Sequence, residues 1–541
     1  MTASASLAED QSHPRGQLDR SGAIAALGER EFDVLVVGGG ITGCGIALDA
    51  AARGLSVALV EKDDFASGTS SKSTKLVHGG LRYLAAREYR LVYENLAERQ
   101  RLLRNASHLV EPLPFVIPVF GKDGLASSAY VKAMGTALWI YDLSGGLRIG
   151  KRHRRIGKRQ ALGHLPSLDA ERLVDAFLYY DARADDARLT LALLRTAVLD
   201  HGAIAANRAC VTSLTERSGR VHGATLAGPG CDGLEVRAAC IVNAAGVWAD
   251  EVRGLDEARH PATIRPAKGV HITVAAERLP CDAAIVLGVP RDKRSISILP
   301  WGRHTYIGST DTPYDGPLDD PAITQADITY LLDATNAWLS APLTPADVVG
   351  AWAGLRPLLA APGASRRTAD LSRRHAVDVS ARGLVSVTGG KLTTYRRMAA
   401  DTVGEVIRLL GRGPRRSPTA RLRLRGSGIR GTDHLTRRYG TEASEVRALI
   451  ESNPSLGEPL VIGLPYLRAE AVYAVRAEMA TTLDDVLARR TRALLLDRAA
   501  TVAAGHEIAE LLAPELGWSP AEVAAQVEAF RDTAEGNGAP R

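Results

Sequence analysis

Cysteine is scarce in this sequence: five in 541 residues, Cys44, Cys210, Cys231, Cys240 and Cys281. The number is odd and no C-x-x-C occurs, which excludes a disulfide-stapled module and suits a reducing compartment, with all five buried or incidental. Lysine is also rare, 10 against 57 Arg, so the type of an arginine says little here and that of a lysine says more. No two of the 13 His lie within four positions of each other, and H-E-x-x-H and G-x-S-x-G are absent; neither a metal site nor a serine hydrolase is expected. No run of 18 apolar residues escapes a charge or a Gly-rich break, so no spanning helix is expected. The first 31 residues lack the basic-then-apolar order of a signal peptide, which points to a cytoplasmic protein. Charge of one sign is not in excess either. The balance of 67 basic and 61 acidic residues leaves +6, too mild to imply a nucleic acid partner.

What is present is a large apolar fraction, 45%, with 24% charged residues, enough for a substantial core and against wholesale disorder or coiled coil. The length allows about three to five ordinary domains, or one large enzyme with a secondary domain. The fold class expected is α/β: a discontinuous Rossmann-like nucleotide-binding domain, a mixed-sheet substrate (cap) domain and an α-helical C-terminal domain. The divisions are a flexible arm over 1–31, the nucleotide domain over 32–110, 165–265 and 366–410, and the cap over 111–164 and 266–365. A linker follows over 411–430, with seven Arg, two Pro and no acid, and then the helical domain over 431–541.

The nucleotide domain is read from residues 32–61. An apolar run of strand length leads into Gly38-x-Gly40-x-x-Gly43, a helical stretch follows, and a second apolar run ends in Glu61. The first Gly makes the turn, Gly40 lets a pyrophosphate approach the backbone, and Gly43 permits tight helix packing. Free N–H groups at the helix start suit the phosphates, and Glu61, 21 positions after Gly40, suits a ribose hydroxyl. Lys62 alone could clamp a 2′-phosphate, so FAD or NAD is favoured over NADP. Two later strand-like runs return to Gly-rich turns. The first, 238–242, leads to Ala245 and Gly246; the second, 384–388, leads to Gly389, Gly390, Lys391, Leu392 and Thr393. The second turn opens a helix whose positive end could face the N1/C2=O edge of a reduced flavin. Residues 67–83 crowd hydroxyls, glycines and cations into one segment.

These segments carry a resemblance. VVGGGITGCG at 36–45, TSSKSTKLVHGGLRY at 69–83, KGVH at 268–271, IGSTD at 307–311, GLRP at 354–357 and GGKLTTYR at 389–396 resemble FAD-dependent, quinone-linked glycerol-3-phosphate dehydrogenases, and the likeness runs from about 32 to 530. It implies FAD as cofactor. The residues placed on FAD are Gly38, Gly40, Gly43 and Glu61, then Thr69, Ser70, Ser71, Ser73, Gly79 and Gly80, then Ala245, Gly246, Gly390, Leu392 and Thr393. The activity implied is oxidation of sn-glycerol 3-phosphate to dihydroxyacetone phosphate, hydride passing from C2 to flavin N5 and electrons to a membrane quinone, in glycerol catabolism.

A phosphate monoester needs converging cations, and the resemblance supplies Arg82, Tyr83, Arg373 and Lys391. A slip of one residue in strand register would exchange Arg373 for Arg374. Arg356 is placed beside the reacting hydroxyl, where it would stabilise developing alkoxide. His271 is a natural base for the hydroxyl proton, yet on a strand of alternating pattern a satisfied core histidine reads equally well. Water, or a lysine made neutral by its neighbours, stays open as the base. An oxidase using oxygen, an amine or amino-acid oxidase of similar architecture and a non-enzymatic flavin scaffold are the alternatives. The basic run 148–159 follows an apolar stretch over 133–141, a pairing that suits peripheral contact with an anionic lipid surface on the inner face of the cell membrane. A homodimer is left open.

Overall fold

In the computed structural model the residues described are 16–536, apart from 86, 122–127, 258–261, 291, 293 and 360–373. The βαβ unit forms the centre of the first sheet. Glu31–Val37 lies between Val57–Val60 and Leu234–Asn243, parallel to both, and Val385–Gly389 continues the parallel run on the far side of Leu234–Asn243. The order across the sheet is His375–Val379, Val385–Gly389, Leu234–Asn243, Glu31–Val37, Val57–Val60 and Ile204–Ala206. The two Gly-rich returns therefore end on the same edge as Gly38, because Val37 pairs with both Val60 and Asn243. That carboxyl edge is where open α/β sheets bind ligands. Apolar runs without alternation, such as Val57–Val60, are buried throughout, as strands covered on both faces must be. Helices Ile41–Ala52, Tyr395–Leu409 and Asp186–Arg195 pack together on one face.

The second sheet is mixed and mostly antiparallel. Its order is Thr312–Pro313, Ile264–Ala275, His304–Gly308, Ser295–Trp301, Ala284–Gly288, Val110–Phe120, Leu173–Ala184 and Leu76–Val77, and Val348–Leu359 also pairs with Ile264–Ala275. Leu173–Ala184 falls within 165–265, assigned above to the nucleotide domain, yet it runs in this second sheet. It pairs antiparallel with Val110–Phe120 along nearly its whole length, so the ladder decides its place.

Two further departures have clear causes. The arm expected over 1–31 is helical from Arg20 to Glu29: the Asp19 carboxylate accepts from Gly22 N at 3.1 Å, and Ala23 and Leu27, four apart, are buried. Residues 1–15 lie outside the described ones. The 411–430 segment is laid along the first domain. Arg415 donates to the Arg53 carbonyl (2.7 Å), Thr419 to Asp49 (2.9 Å), and the Leu424 N–H to the Asn105 carbonyl (2.8 Å). Helices His434–Tyr439, Ala443–Ser452, Arg468–Glu478, Arg498–Leu516 and Pro520–Gly536 follow, with cores of their own.

Candidate active site

The fingerprint turn closes on itself through missing side chains. Gly38 has φ +112°, and a Cβ there would lie 2.7 Å from the Ala244 carbonyl oxygen; one on Gly43 would lie 1.9 Å from that of Gly38. Helix and strand meet only because both are glycine. The Glu61 carboxylate accepts from Gly39 N at 2.6 Å and Asp63 N at 2.9 Å. Burial pushes its carboxyl up to about 7, against the pull of those two N–H donors. Each oxygen keeps a further acceptor position for a ribose hydroxyl. Ser70 Oγ accepts from Ile41 N (2.8 Å), Thr69 Oγ1 donates to the Leu355 carbonyl (2.6 Å), and Thr393 Oγ1 accepts from His78 N (3.2 Å). These bonds tie the hydroxyl-rich segment to the helix start, to the second sheet and to the Gly389 turn.

The chemistry side is built on one face of the second sheet. Pairing of Ile264–Ala275 with Val348–Leu359 sets His271 opposite Trp352, Gly269 opposite Gly354 and Ala267 opposite Arg356, so these residues share a face. His271 stacks on Trp352 (centroids 4.8 Å apart, planes 10°) and bonds Thr74 Oγ1 through Nε2 at 2.9 Å, while Nδ1 is buried without a hydrogen-bond partner among the described residues. Burial, then the nearby Arg356 and Lys75, holds the imidazole well below the usual histidine range and therefore neutral. Arg356 lies back over Gly269, where a Cβ would come within 2.5 Å of its guanidinium; it donates to Ser309 Oγ at 2.6 Å and sits 3.4 Å from Asp311. The Lys391 ammonium stands 3.7 Å from the centre of the Tyr83 ring.

The fingerprint turn, the hydroxyl-rich segment and the chemistry side open on one cavity of about 1520 Å³, larger than the roughly 300–1,000 Å³ of ordinary ligand pockets and so able to take a dinucleotide with a second small molecule. It brings together Gly38, Gly40, Glu61, Thr69, Ser70, Ser73, Gly80, Ala245, Gly246, Gly390, Leu392 and Thr393 with Arg82, Tyr83, His271, Arg356 and Lys391.

Other expected residues point elsewhere. Ser71 is buried, and its carbonyl accepts from Lys75 and Arg492. Gly79 gives its N–H to Tyr141 and Asp181. Gly43 serves the helix–strand contact instead of lining the cavity, and Ser73 Oγ, though at the wall, donates to Asp186 at 2.7 Å. Arg373 lies outside the described residues; Arg374 is exposed, 3.8 Å from Glu88. Thr74 and Trp352 were not singled out from sequence. Thr74 lay inside the hydroxyl-rich segment, whereas Trp352 becomes significant only once the strand register sets it against His271.

The residues fit a dinucleotide at one Gly-rich turn and an anionic substrate beside a neutral histidine. Comparison with known proteins supplies the family. The model of the FAD dependent oxidoreductase family matches residues 33–396, and that of the C-terminal domain of alpha-glycerophosphate oxidase matches 393–523. Glycerol-3-phosphate dehydrogenase 2 of Mycobacterium tuberculosis is 41% identical over 95% of this chain and 89% of its own. The chain belongs to the FAD-dependent glycerol-3-phosphate dehydrogenase family. The human mitochondrial glycerol-3-phosphate dehydrogenase is 38% identical over 93% of this chain and 73% of its own. Among solved structures, the glycerol-3-phosphate dehydrogenase from Bacillus halodurans complexed with FAD superposes with TM-score 0.78 at 31% identity, covering 96% of this chain and 97% of its own. As in the rest of this family, the cofactor is FAD.

Proposed function

We propose that the chain oxidises sn-glycerol 3-phosphate to dihydroxyacetone phosphate and passes the electrons to a membrane quinone, as a step of glycerol catabolism. The observation that carries this reading is the opening of Arg82, Tyr83, Lys391, Arg356 and His271 on the cavity that holds the dinucleotide fingerprint. Several cations suit a phosphate dianion better than the single carboxylate of an amino acid. Lys391 and Arg82 bind the phosphate, with Tyr83 beneath the ammonium. Arg356, already aimed by Ser309 and Asp311, steadies the C2 oxygen as its proton leaves. His271, on the cavity wall and oriented by Thr74 and Trp352, is the acceptor we assign to that proton; because burial disfavours its imidazolium form, the proton passes on through it and does not stay. Lys75 is less suited, since its ammonium donates to the Ser71 carbonyl and to Asp186, both at 2.9 Å. Bound FAD supplies the acceptor for the C2 hydride.

The quinone is supported by the wall of the cavity and by what lies outside it. Ala133, Met134, Ala137 and Ile140 of the helix Ser128–Leu143 face the cavity. On the same helix and just beyond it, Trp139 is 48% exposed, Leu143 75% and Leu147 45%, next to the exposed cations Arg148, Lys151, Arg152 and Arg154. Apolar groups beside cations suit the inner, anionic face of a membrane. Among the described residues no helix is long and apolar enough to cross one. A steady-state assay tests the reading: product should form from sn-glycerol 3-phosphate with a soluble short-chain quinone, and not from glycerol or D-amino acids. Turnover with oxygen as fast as with quinone would make it an oxidase, and no product from glycerol 3-phosphate would overturn the reading.

A further inference from the structure

The functional reading leaves one motif unused, the Arg-Arg-Thr-Arg stretch at 489–492 of the C-terminal domain. Its arginines turn out of that domain into the loops around the cofactor cavity. Arg490 grips Asp64 with both ends of its guanidinium, at 2.6 and 2.9 Å, and Arg489 adds a contact at 2.6 Å. Asp64 stands three residues after Glu61. Burial pushes its carboxyl up, but Arg490 and Arg489 outweigh this and hold it below the usual range. Arg492 reaches the hydroxyl-rich segment itself, donating to the Ser71 carbonyl at 3.2 Å, to Asp185 at 2.9 and 3.0 Å, and to Asp186. Asp186 in turn accepts from Ser73 N (3.1 Å), Ser73 Oγ (2.7 Å) and Lys75 Nζ (2.9 Å). Between Ser73 and Lys75 lies Thr74, whose hydroxyl holds His271.

The same turn also braces the sheet beneath. Leu495 accepts through its carbonyl from Thr273 Oγ1 at 2.8 Å, and a Cβ on Gly350 would lie 2.4 Å from that oxygen. Thr273 and Gly350 share the face of His271 and Trp352, one pleat along. Arg492 adopts a left-handed backbone conformation, φ +72°, which a non-glycine residue holds only where its surroundings fix it. Arg492, Asp186 and Lys75 are almost completely buried. A planar fork that reaches a carbonyl and two carboxylates at once has no equivalent in lysine, whose ammonium is a point charge.

We propose that Arg492 is a positioning residue, through which the C-terminal domain fixes the 71–75 segment and thereby the Thr74–His271 contact and the cofactor wall. The domain is on this account part of the reaction centre's frame. The inference rests on the proposed function, and its test separates the two. Arg492→Lys keeps the charge and loses the fork. In the FAD-loaded variant, anaerobic reduction by glycerol 3-phosphate is expected to slow about ten- to hundredfold, as a misplacement near 1 Å does. Without substrate, the visible circular dichroism of the bound flavin should change, and amide hydrogen exchange over 67–78 should speed up in the apoprotein. Arg188→Lys is the control. Arg188 is equally buried at the same domain boundary, paired to Glu478 at 2.6 Å, and no described contact takes it to the 71–75 segment; it should keep the parent's rate and flavin signal.

If Arg492→Lys yields no folded protein, Asp185→Asn is measured instead, since Asn still caps the helix that Asp185 begins while weakening the arginine's grip. Parent-like reduction, dichroism and exchange in the measured variant would overturn the proposal. So would equal slowing in Arg188→Lys, which would mark a general loosening. A parent that glycerol 3-phosphate fails to reduce would count against the functional reading alone, because dichroism and exchange still report on Arg492.

Discussion

Arg356 is aimed before any substrate binds, by Ser309 Oγ at 2.6 Å and the Asp311 carboxylate at 3.4 Å. Preorganised charge of this kind acts mainly on the transition state. Arg356→Ala is expected to retain flavin and to lose at least about a hundredfold in the rate of anaerobic reduction; a parent-like rate by stopped flow would remove Arg356 from the reacting centre. Glu61 makes a different prediction. Its carboxyl titrates near 7 in the free protein because burial outweighs two N–H donors, and ribose hydroxyls donating to it favour the ionised form. FAD binding then releases a proton, so affinity rises as pH increases through about 7 and levels off above. For the apoprotein the sign is opposite: the raised carboxyl contributes stability that is fully present below its ordinary 4.5 and lost as pH rises through about 7. Titrating apoprotein with FAD across that window checks the first claim, and Glu61→Gln should bind more weakly with a flat profile.

Single residues were readable from sequence to different depths. Among the rare lysines, Lys75, Lys268 and Lys391 lie within the segments that carry the resemblance. Lys391 is at the cavity, but Lys268 is buried on Asp327 at 2.7 Å and Lys75 on Asp186. A rare type flags a site without saying whether the charge faces ligand or partner.

At the scale of elements, the βαβ unit was plain because all its signals are local: an apolar run, three glycines, a helix and an acid within about 30 residues. The face carrying His271 and Arg356 was not. Alternation along Ile264–Ala275 says which residues share a face, but its partner strand begins at Val348, and no local pattern sets the register between segments so far apart. The arm helix was missed for a similar reason, since two buried residues and one capping Asp make a faint signal. The register yields a prediction. Gly269 leaves the space that the Arg356 guanidinium fills. Gly269→Ala should therefore fold and bind FAD, because only the end of a flexible side chain has to move, yet reduce more slowly by about tenfold or more. Gly43→Ala should lose the cofactor outright, because its Cβ would meet a backbone carbonyl at 1.9 Å. Flavin content after purification distinguishes the two.

For the whole molecule, net charge named no partner, yet its placement is informative. Many of the arginines are consumed in ion pairs within the fold, among them Arg99, Arg188, Arg490 and Arg492, while 148–159 stays largely exposed beside Trp139 and Leu143. Sedimentation with anionic vesicles should therefore be salt-sensitive and should fall severalfold in Leu143→Asp; equal binding to neutral vesicles would argue against a charged lipid face. The account as a whole turns on the union of a flavin and a phosphate-ester site in one cavity. Anaerobic titration of the FAD-loaded protein with sn-glycerol 3-phosphate, followed at the flavin's visible band, tests that union most directly. Bleaching of the band by the phosphate ester, and not by glycerol, is the predicted result, and an unchanged spectrum would contradict it.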